Sequence, residues 1–200
     1  MEISATLVRD LRDKTGAPMM DCKKALQEVN GDINKAMDRL REKGLKSSLK
    51  KSTRTAKEGL IGSYVHPGSK IGVLLEVNCE TDFVARTPEF NGLVKNLSMH
   101  IAASSPLYLT RDDVPQEVLA REKEICRNQA LQAGKPEKVV EKIVEGKMDK
   151  FFAEICLMEQ SYVREPELTV KGLLDTHIGK IGENIVVRRF CRYQLGESAE

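Results

Sequence analysis

An aromatic and an aliphatic side chain occupy a connection in which small polar residues would be ordinary. The segment reads Cys79-Glu80-Thr81-Asp82-Phe83-Val84-Ala85-Arg86 and lies between a predicted strand and a predicted helix. Turns are usually rich in Gly, Asn and Ser, so the pair Phe83-Val84 is unusual there, and an acidic residue precedes it directly. Two interpretations stay open at this point. Either Asp82 caps a helical turn while Phe83 enters the core, or Asp82 and Phe83 form a wedge that inserts into another protein.

Side chains elsewhere do not fall at spacings that suit covalent, phosphate or metal chemistry. A P-loop needs Gly, four residues and then Gly-Lys-Ser/Thr, but the Gly-Lys pairs at Gly134, Gly146 and Gly179 are followed by Pro, Met and Ile. The three histidines are not clustered, and the five cysteines are scattered without a C-x-x-C pair, which is typical of reduced and mostly buried thiols. The sequence therefore predicts no catalytic residue, no metal site and no cofactor.

Composition and charge exclude several other classes of protein. The chain has 200 residues, of which 40% are hydrophobic and 31% charged, as in folded globular proteins. With 32 basic against 30 acidic residues the net charge is only +2, so the surface as a whole is not built to attract nucleic acid. No apolar run approaches the roughly 18 residues of a membrane helix, and the first residues lack a signal-peptide pattern. We expect a soluble, cytoplasmic protein.

The elements that must position the unusual segment begin with a small helical module. Residues 1–44 show apolar positions at helical spacing in three short stretches, ended by Gly16, by Asn30-Gly31 and by Gly44. Residues 45–57 form a basic linker with five Lys and Arg side chains and no acidic residue. The linker has no Pro and no internal Gly, which is compatible with a helix. This linker either faces an acidic protein partner or contacts nucleic acid, although no aromatic residues are interleaved to stack on bases.

From residue 58 the hydrophobic period changes from 3.6 to 2, which predicts an α+β core over 58–200. Strands are predicted at 60–66 and 70–78 around the turn Pro67-Gly68-Ser69, and a third over 184–195. Thr87 and Pro88 have the residue types of a helix start, and further helices are predicted over 115–133, 136–158 and 169–181. The predicted fold is a three-helix module followed by a three-stranded antiparallel sheet with packed helices.

Three segments of the chain together resemble one known family. Asn78 to Arg86 is similar to the signature segment of bacterial elongation factor Ts. The stretch from Leu11 to Leu26 resembles that family's ubiquitin-associated-like module, and Lys180 to Phe190 resembles its closing strand. The resemblance covers essentially the whole chain, in the short form with a single core.

The resemblance implies a guanine-nucleotide exchange factor that acts without covalent chemistry. Its partner would be elongation factor Tu, in the GDP-bound and nucleotide-free states, with no direct contact to nucleic acid or membrane. Carried over residue by residue, the segment that displaces the partner's magnesium ion is Thr81, Asp82, Phe83 and Val84. Met19 and Met20 are predicted partner contacts, with burial in the core as the alternative. Two rival functions remain open, an adaptor that recruits another protein and an RNA-binding protein using the basic linker.

The short form also predicts self-association. Longer family members carry two related core subdomains, so a surface that they cover internally would be open here, and a twofold homodimer would close it. Val187, Cys191 and Tyr193 are predicted to share one face of the closing strand, and Cys191 would form an intermolecular disulfide in oxidising buffer. The alternative is a buried thiol in a monomer.

Overall fold

The computed structural model describes residues 3–197. The helices are α1 (Ala5–Thr15), α2 (Met19–Glu28), α3 (Ile33–Lys51), α4 (Asp82–Ala85), α5 (Pro88–Ser104), α6 (Gln116–Gln132), α7 (Glu137–Ile155) and α8 (Val170–Ile181). The strands are β1 (Glu58–Val65), β2 (Ile71–Cys79), β3 (Ser161–Tyr162), β4 (Glu165–Thr169) and β5 (Val186–Gln194). Two compact units emerge: the chain up to Leu60 with Val77–Asn91 and Gly172–Arg188, and Ile61–Glu76 with Gly92–Lys171 and the chain from Arg189.

The three predicted N-terminal helices are present in the first unit. The Ser4 hydroxyl accepts the Leu7 N–H at 3.2 Å and starts α1, which ends at Gly16 with a φ of 65°. A glycine tolerates that left-handed conformation without a Cβ penalty. The three helices share a small buried core of Val8, Leu11, Cys22, Ala25, Leu26 and Ala36.

The prediction that the third helix ends at Gly44 is wrong. Helix α3 continues to Lys51 because α8 supports it there: a Cβ on Gly179 would lie 3.1 Å from the Gly44 Cα, so the two backbones approach closely. One turn later the buried Ser48 hydroxyl donates to the Asp175 carboxylate, and Lys51 donates to the Ile178 carbonyl at 3.3 Å. Much of the basic linker is thus helical and packed, while the domain boundaries at 1–44, 45–57 and 58–200 remain predictions.

The predicted α+β fold is confirmed, with a three-stranded antiparallel sheet in the order β1-β2-β5. Every second residue of β2 is buried, at Val73, Leu75, Val77 and Cys79, as the period of two indicates. His66 N–H donates to the Ile71 carbonyl across the predicted turn at 2.9 Å. No helix within residues 3–197 is long and apolar enough to cross a membrane.

In the second unit, helices and a short extra hairpin complete the core. Gly62 of β1 allows close packing against Val94 of α5, since a Cβ there would clash with the valine side chain. Helices α6 and α7 form a hairpin around Cys126, Ala130, Val140, Val144 and Met148. The pairing of β3 with β4 was not predicted, because strands of two and five residues are too short to show a period.

Candidate partner-binding site

The unusual segment folds into a single capped helical turn. After β2 ends, the Thr81 side chain accepts the Val84 N–H at 3.3 Å and begins α4. The first interpretation assigned this cap to Asp82, and that assignment is wrong. Asp82 lies inside the turn and forms an exposed ion pair with Arg86 at 2.9 Å.

The same turn separates the aromatic from the aliphatic side chain. Phe83 is 77% exposed, whereas Val84 and Ala85 are 7% and 8% exposed. In one turn of helix, successive side chains point about 100° apart, so burying Val84 and Ala85 directs Phe83 outward. The interpretation that places Phe83 in the core is therefore wrong, and an exposed aromatic ring is anchored by its buried neighbours.

Two glutamates tie the start of the turn to the segment that follows α8. The Glu183 carboxylate accepts the backbone N–H groups of Glu80 and Thr81, each at 3.0 Å, and the Thr81 hydroxyl at 2.6 Å. In the other direction, the Glu80 carboxylate accepts the Asn184 N–H at 2.6 Å. The Asn184 amide donates in turn to the Arg54 carbonyl at 2.8 Å.

The end of the turn is held by the start of α5. The Thr87 hydroxyl donates to the Val84 carbonyl at 2.8 Å and accepts the Phe90 N–H at 3.2 Å. The Asn91 amide donates to the carbonyls of Ala85 and Thr87 at 3.0 and 2.9 Å. Both ends of the segment are therefore fixed by side-chain bonds, which limits the conformations available to Phe83.

Cys79, at the end of β2, has a structural environment. Its side chain is fully buried and its thiol donates to the Thr81 carbonyl at 3.1 Å. Burial, with a smaller contribution from the charge of Glu183, raises the pKa of the Cys79 thiol to about 11. The thiolate needed for nucleophilic attack is thus scarce at neutral pH.

The two predicted methionine contacts are exposed at the start of α2. Met19 is 43% and Met20 is 62% exposed, so the alternative that buries them in the core is wrong. They begin a helix of the N-terminal module, whereas Thr81 to Val84 lie between β2 and α5, so the predicted contacts come from separate elements.

Comparison with known proteins shows the family of the chain. A family model described as Elongation factor TS matches residues 3–197. The chain belongs to the elongation factor Ts family. It is 60% identical to the protein named Elongation factor Ts of Caldanaerobacter subterraneus subsp. tengcongensis, over 99% of both chains. It is 58% identical to the one of Geobacter sulfurreducens, over 100% of this chain and 93% of that protein, and 52% identical to the one of Syntrophus aciditrophicus, over 98% of both.

Membership of the elongation factor Ts family makes the chain a translation elongation factor. The relatives named above match it over nearly their whole lengths. Within residues 3–197, no group of three or more His, Cys, Asp and Glu side chains is placed to hold a metal ion.

Glu183 and Glu80 are the site residues that sequence reasoning missed. Glu80 lies within the elongation factor Ts signature segment and Glu183 within the closing segment, but neither was given a role. The available signal was an acid directly after Gly182, the glycine that follows the last residue of α8 and has a φ of 90°. Because Glu183 lies beyond the helix, its carboxylate can accept the N–H groups of another segment.

The three residues predicted to share one face of the closing strand differ in exposure. Cys191 is a half-buried free thiol and Tyr193 is 70% exposed, but Val187 is buried. Val187 follows the buried Asn184 and Ile185, so this end of the strand is covered where the other end is open. Alternation still puts Val187 on the same face as Cys191 and Tyr193, but a period of two does not show how far a covering layer extends along that face.

Proposed function

We propose that this chain is the guanine-nucleotide exchange factor of elongation factor Tu, and that it displaces the partner's magnesium ion with the segment Thr81 to Val84. The observation that carries this proposal is the exposed Phe83 on a turn held at both ends, in a member of the elongation factor Ts family. The chemistry is non-covalent, so the chain is not an enzyme in the usual sense. It acts in the cytoplasm, without direct contact to nucleic acid or membrane.

Exchange requires that the factor bind the emptied GTPase better than the loaded one. In a P-loop GTPase, backbone N–H groups and a magnesium ion hold the phosphates of the nucleotide. Coupling between two ligands is reciprocal, so a factor that weakens GDP is itself weakened when GDP returns. A wedge that moves the residues holding magnesium satisfies this requirement, since it and the bound ion favour different conformations of the partner.

Phe83 supplies the apolar part of that coupling. Burying a phenylalanine side chain gains about 1.5–3 kcal/mol, and each ~1.4 kcal/mol of coupling changes nucleotide affinity about tenfold. Asp82 adds an exposed negative charge beside the ring. Val84 is buried, so its part in the proposed action is to anchor the turn rather than to touch the partner.

Met19 and Met20 give the proposed complex a second contact area. Exposed methionine side chains adapt their shape to a partner surface at low cost. Docking through this module would hold the factor on elongation factor Tu while the Phe83 turn engages the nucleotide site.

We also propose that the chain forms a homodimer through the open face of its sheet. In the second unit, Ile61, Val65, Leu74 and Tyr193 are 48–70% exposed. Ile61 and Val65 alternate with Gly62, which faces α5, and Tyr193 follows Arg192, which bonds the Ala102 carbonyl of α5. By alternation these apolar side chains point away from α5, on the face to which Cys191 also belongs. Light scattering under reducing conditions tests this, with a mass near 22 kDa at micromolar concentration against it, and non-reducing gels with Cys191→Ser test the disulfide.

A nucleotide-release assay tests the exchange function directly. Purified elongation factor Tu is loaded with labelled GDP, and release is followed with substoichiometric amounts of the chain and an excess of unlabelled GDP. We expect each molecule of the chain to release many molecules of GDP, and added magnesium to oppose the effect. Unchanged release at every concentration would contradict the proposal. RNA binding that weakens steeply with salt, without GDP release, would favour the RNA-binding alternative instead.

A further inference from the structure

The residues that hold the Phe83 turn in place form a reciprocal pair of contacts between distant parts of the chain. Glu183 accepts the N–H of Glu80, and Glu80 in turn accepts the N–H of Asn184, so each acidic side chain binds the backbone of the other segment. Glu183 also accepts the N–H and the hydroxyl of Thr81. Hydrogen bonds to a charged carboxylate are stronger than those between neutral groups.

We propose that Glu183 and Thr81 are the positioning residues of the exchange site, which hold Phe83 outward in the orientation that enters the partner. This inference rests on the exchange function proposed above. It divides the segment Thr81 to Val84 into two kinds of residue: Asp82 and Phe83 meet the partner, whereas Thr81 and Val84 act through the turn that presents them.

The bonding of Thr81 supports this division. Its hydroxyl donates to Glu183 at 2.6 Å and accepts the Val84 N–H at 3.3 Å, so both its donor and one acceptor position are used within the chain. A hydroxyl engaged in this way has little capacity left for a partner. It instead links the carboxylate of Glu183 to the single turn of α4, which carries Phe83 and ends two residues after it.

A fixed turn matters because Phe83 can then enter the partner without the loop first having to become ordered. A flexible loop would lose conformational entropy on binding, and that loss would reduce the free energy available to move the partner. Removing Glu183 therefore lowers the maximal rate of GDP release more than it lowers binding, since other contacts, including the N-terminal module, still dock the chain.

The experiment compares Glu183→Ala with a matched control. Asp113 accepts the N–H and the hydroxyl of Thr110 at 2.8 and 2.7 Å, the same pair of groups that Glu183 accepts from Thr81, but at the start of a different element. With wild type, Glu183→Ala and Asp113→Asn, GDP release from elongation factor Tu is measured over a range of factor concentrations. We expect Glu183→Ala to lower the maximal rate about tenfold and to change the half-saturating concentration less than about threefold, and Asp113→Asn to change neither.

Two further measurements separate positioning from folding. A loss of folded protein alone would raise the half-saturating concentration and leave the maximal rate unchanged. Amide hydrogen exchange of the free chain should show that Glu80 and Thr81 exchange faster in Glu183→Ala, and that Asp113→Asn leaves both protected. Thr81→Ser should retain nearly the wild-type maximal rate while Thr81→Val loses it, because only serine keeps the hydroxyl. If Glu183→Ala does not fold, Glu183→Gln removes the charge while preserving the shape.

Several results would overturn the inference. An unchanged maximal rate in Glu183→Ala would do so, as would an equal loss in Asp113→Asn. If wild type itself fails to release GDP, the proposed function is wrong, and amide exchange then decides the positioning role alone: unchanged protection of Glu80 and Thr81 overturns it, and lost protection supports it.

Discussion

The Phe83 turn and the region around His100 are both held by side-chain hydrogen bonds, but the first presents an exposed ring and the second encloses a buried one. At the turn, polar side chains bind backbone groups near the surface, and the residue they present is an exposed aromatic ring. At His100, which is fully buried in the second unit, Gln160 accepts from the ring Nε2 at 3.0 Å and donates to the carbonyls of Ser104 and Glu154 at 3.2 and 2.6 Å. The N–H of Val163 completes the set by donating to Nδ1 at 3.3 Å.

The difference lies in what each network protects. The side chains of His100 and Gln160 are both buried, so loss of one leaves polar atoms of the other unsatisfied and costs stability. At the turn, water can replace a lost partner, so the main cost is the orientation of Phe83. Mutations around His100 should therefore lower the free energy of unfolding, and mutations at the Phe83 turn should lower activity.

The largest effect expected on stability is that of Gln160→Ala. It removes the acceptor of His100 and the donor to two carbonyls, so we expect the free energy of unfolding to fall by about 2–3 kcal/mol. Thermal and urea unfolding measure this, and Gln194→Ala, at an exposed site, is the control. Below the melting transition, GDP release should remain near the wild-type rate. A stable Gln160→Ala protein with impaired release would contradict the division between the two regions.

Phe83→Ala is the opposite case. We expect catalysed GDP release to fall at least about tenfold while the melting temperature hardly changes, because the ring is exposed and contributes its burial energy only in the complex. Leu107→Ala, which truncates another exposed apolar side chain, is the control. A protein that melts several degrees earlier with its activity intact would place Phe83 among the structural residues.

A smaller effect should appear as pH dependence of stability. Burial lowers the pKa of His100 below that of an unfolded histidine, and the hydrogen bond to Gln160 opposes this only in part. The unfolded chain thus binds more protons as pH falls through about 6.5, so stability present above that pH is lost below it. Urea unfolding between about pH 7.5 and 5.5 should show this, and His100→Gln should reduce the dependence while His66→Gln, at an exposed position, should not. An identical pH dependence in His100→Gln would exclude His100 as its source.

The smallest effect is expected at the N-terminal module. Truncating Met20, which is 62% exposed, should raise the half-saturating concentration for GDP release about threefold and leave the maximal rate unchanged. Kinetics with Met20→Ala over a range of factor concentrations check this, with Met37→Ala as the control on another exposed position of the same module. A lower maximal rate at unchanged half-saturation would assign Met20 to the exchange step instead.

Local patterns were sufficient for most of the fold. The alternation in β2 and the helix start at Thr87 and Pro88 are present as predicted, because each depends on neighbours within a few residues. The motifs from Asn78 to Arg86 and from Lys180 to Phe190 likewise sufficed to identify the family, which the comparisons confirm.

Contacts between distant segments decided the remainder. The extension of α3 past Gly44 depends on α8, whose Gly179 and Asp175 are more than a hundred residues away. Phe83 points outward because Val84 and Ala85 are buried in a turn that Glu183 bonds from a distant segment, whereas the composition of residues 79–86 allowed either a buried or an exposed ring. The sequence by itself thus determined most of the helices, the three strands of the main sheet and the family to which the chain belongs. Only the tertiary structure decided which side of a short turn faces solvent, because that choice is made by burial and hydrogen bonds that no local period encodes.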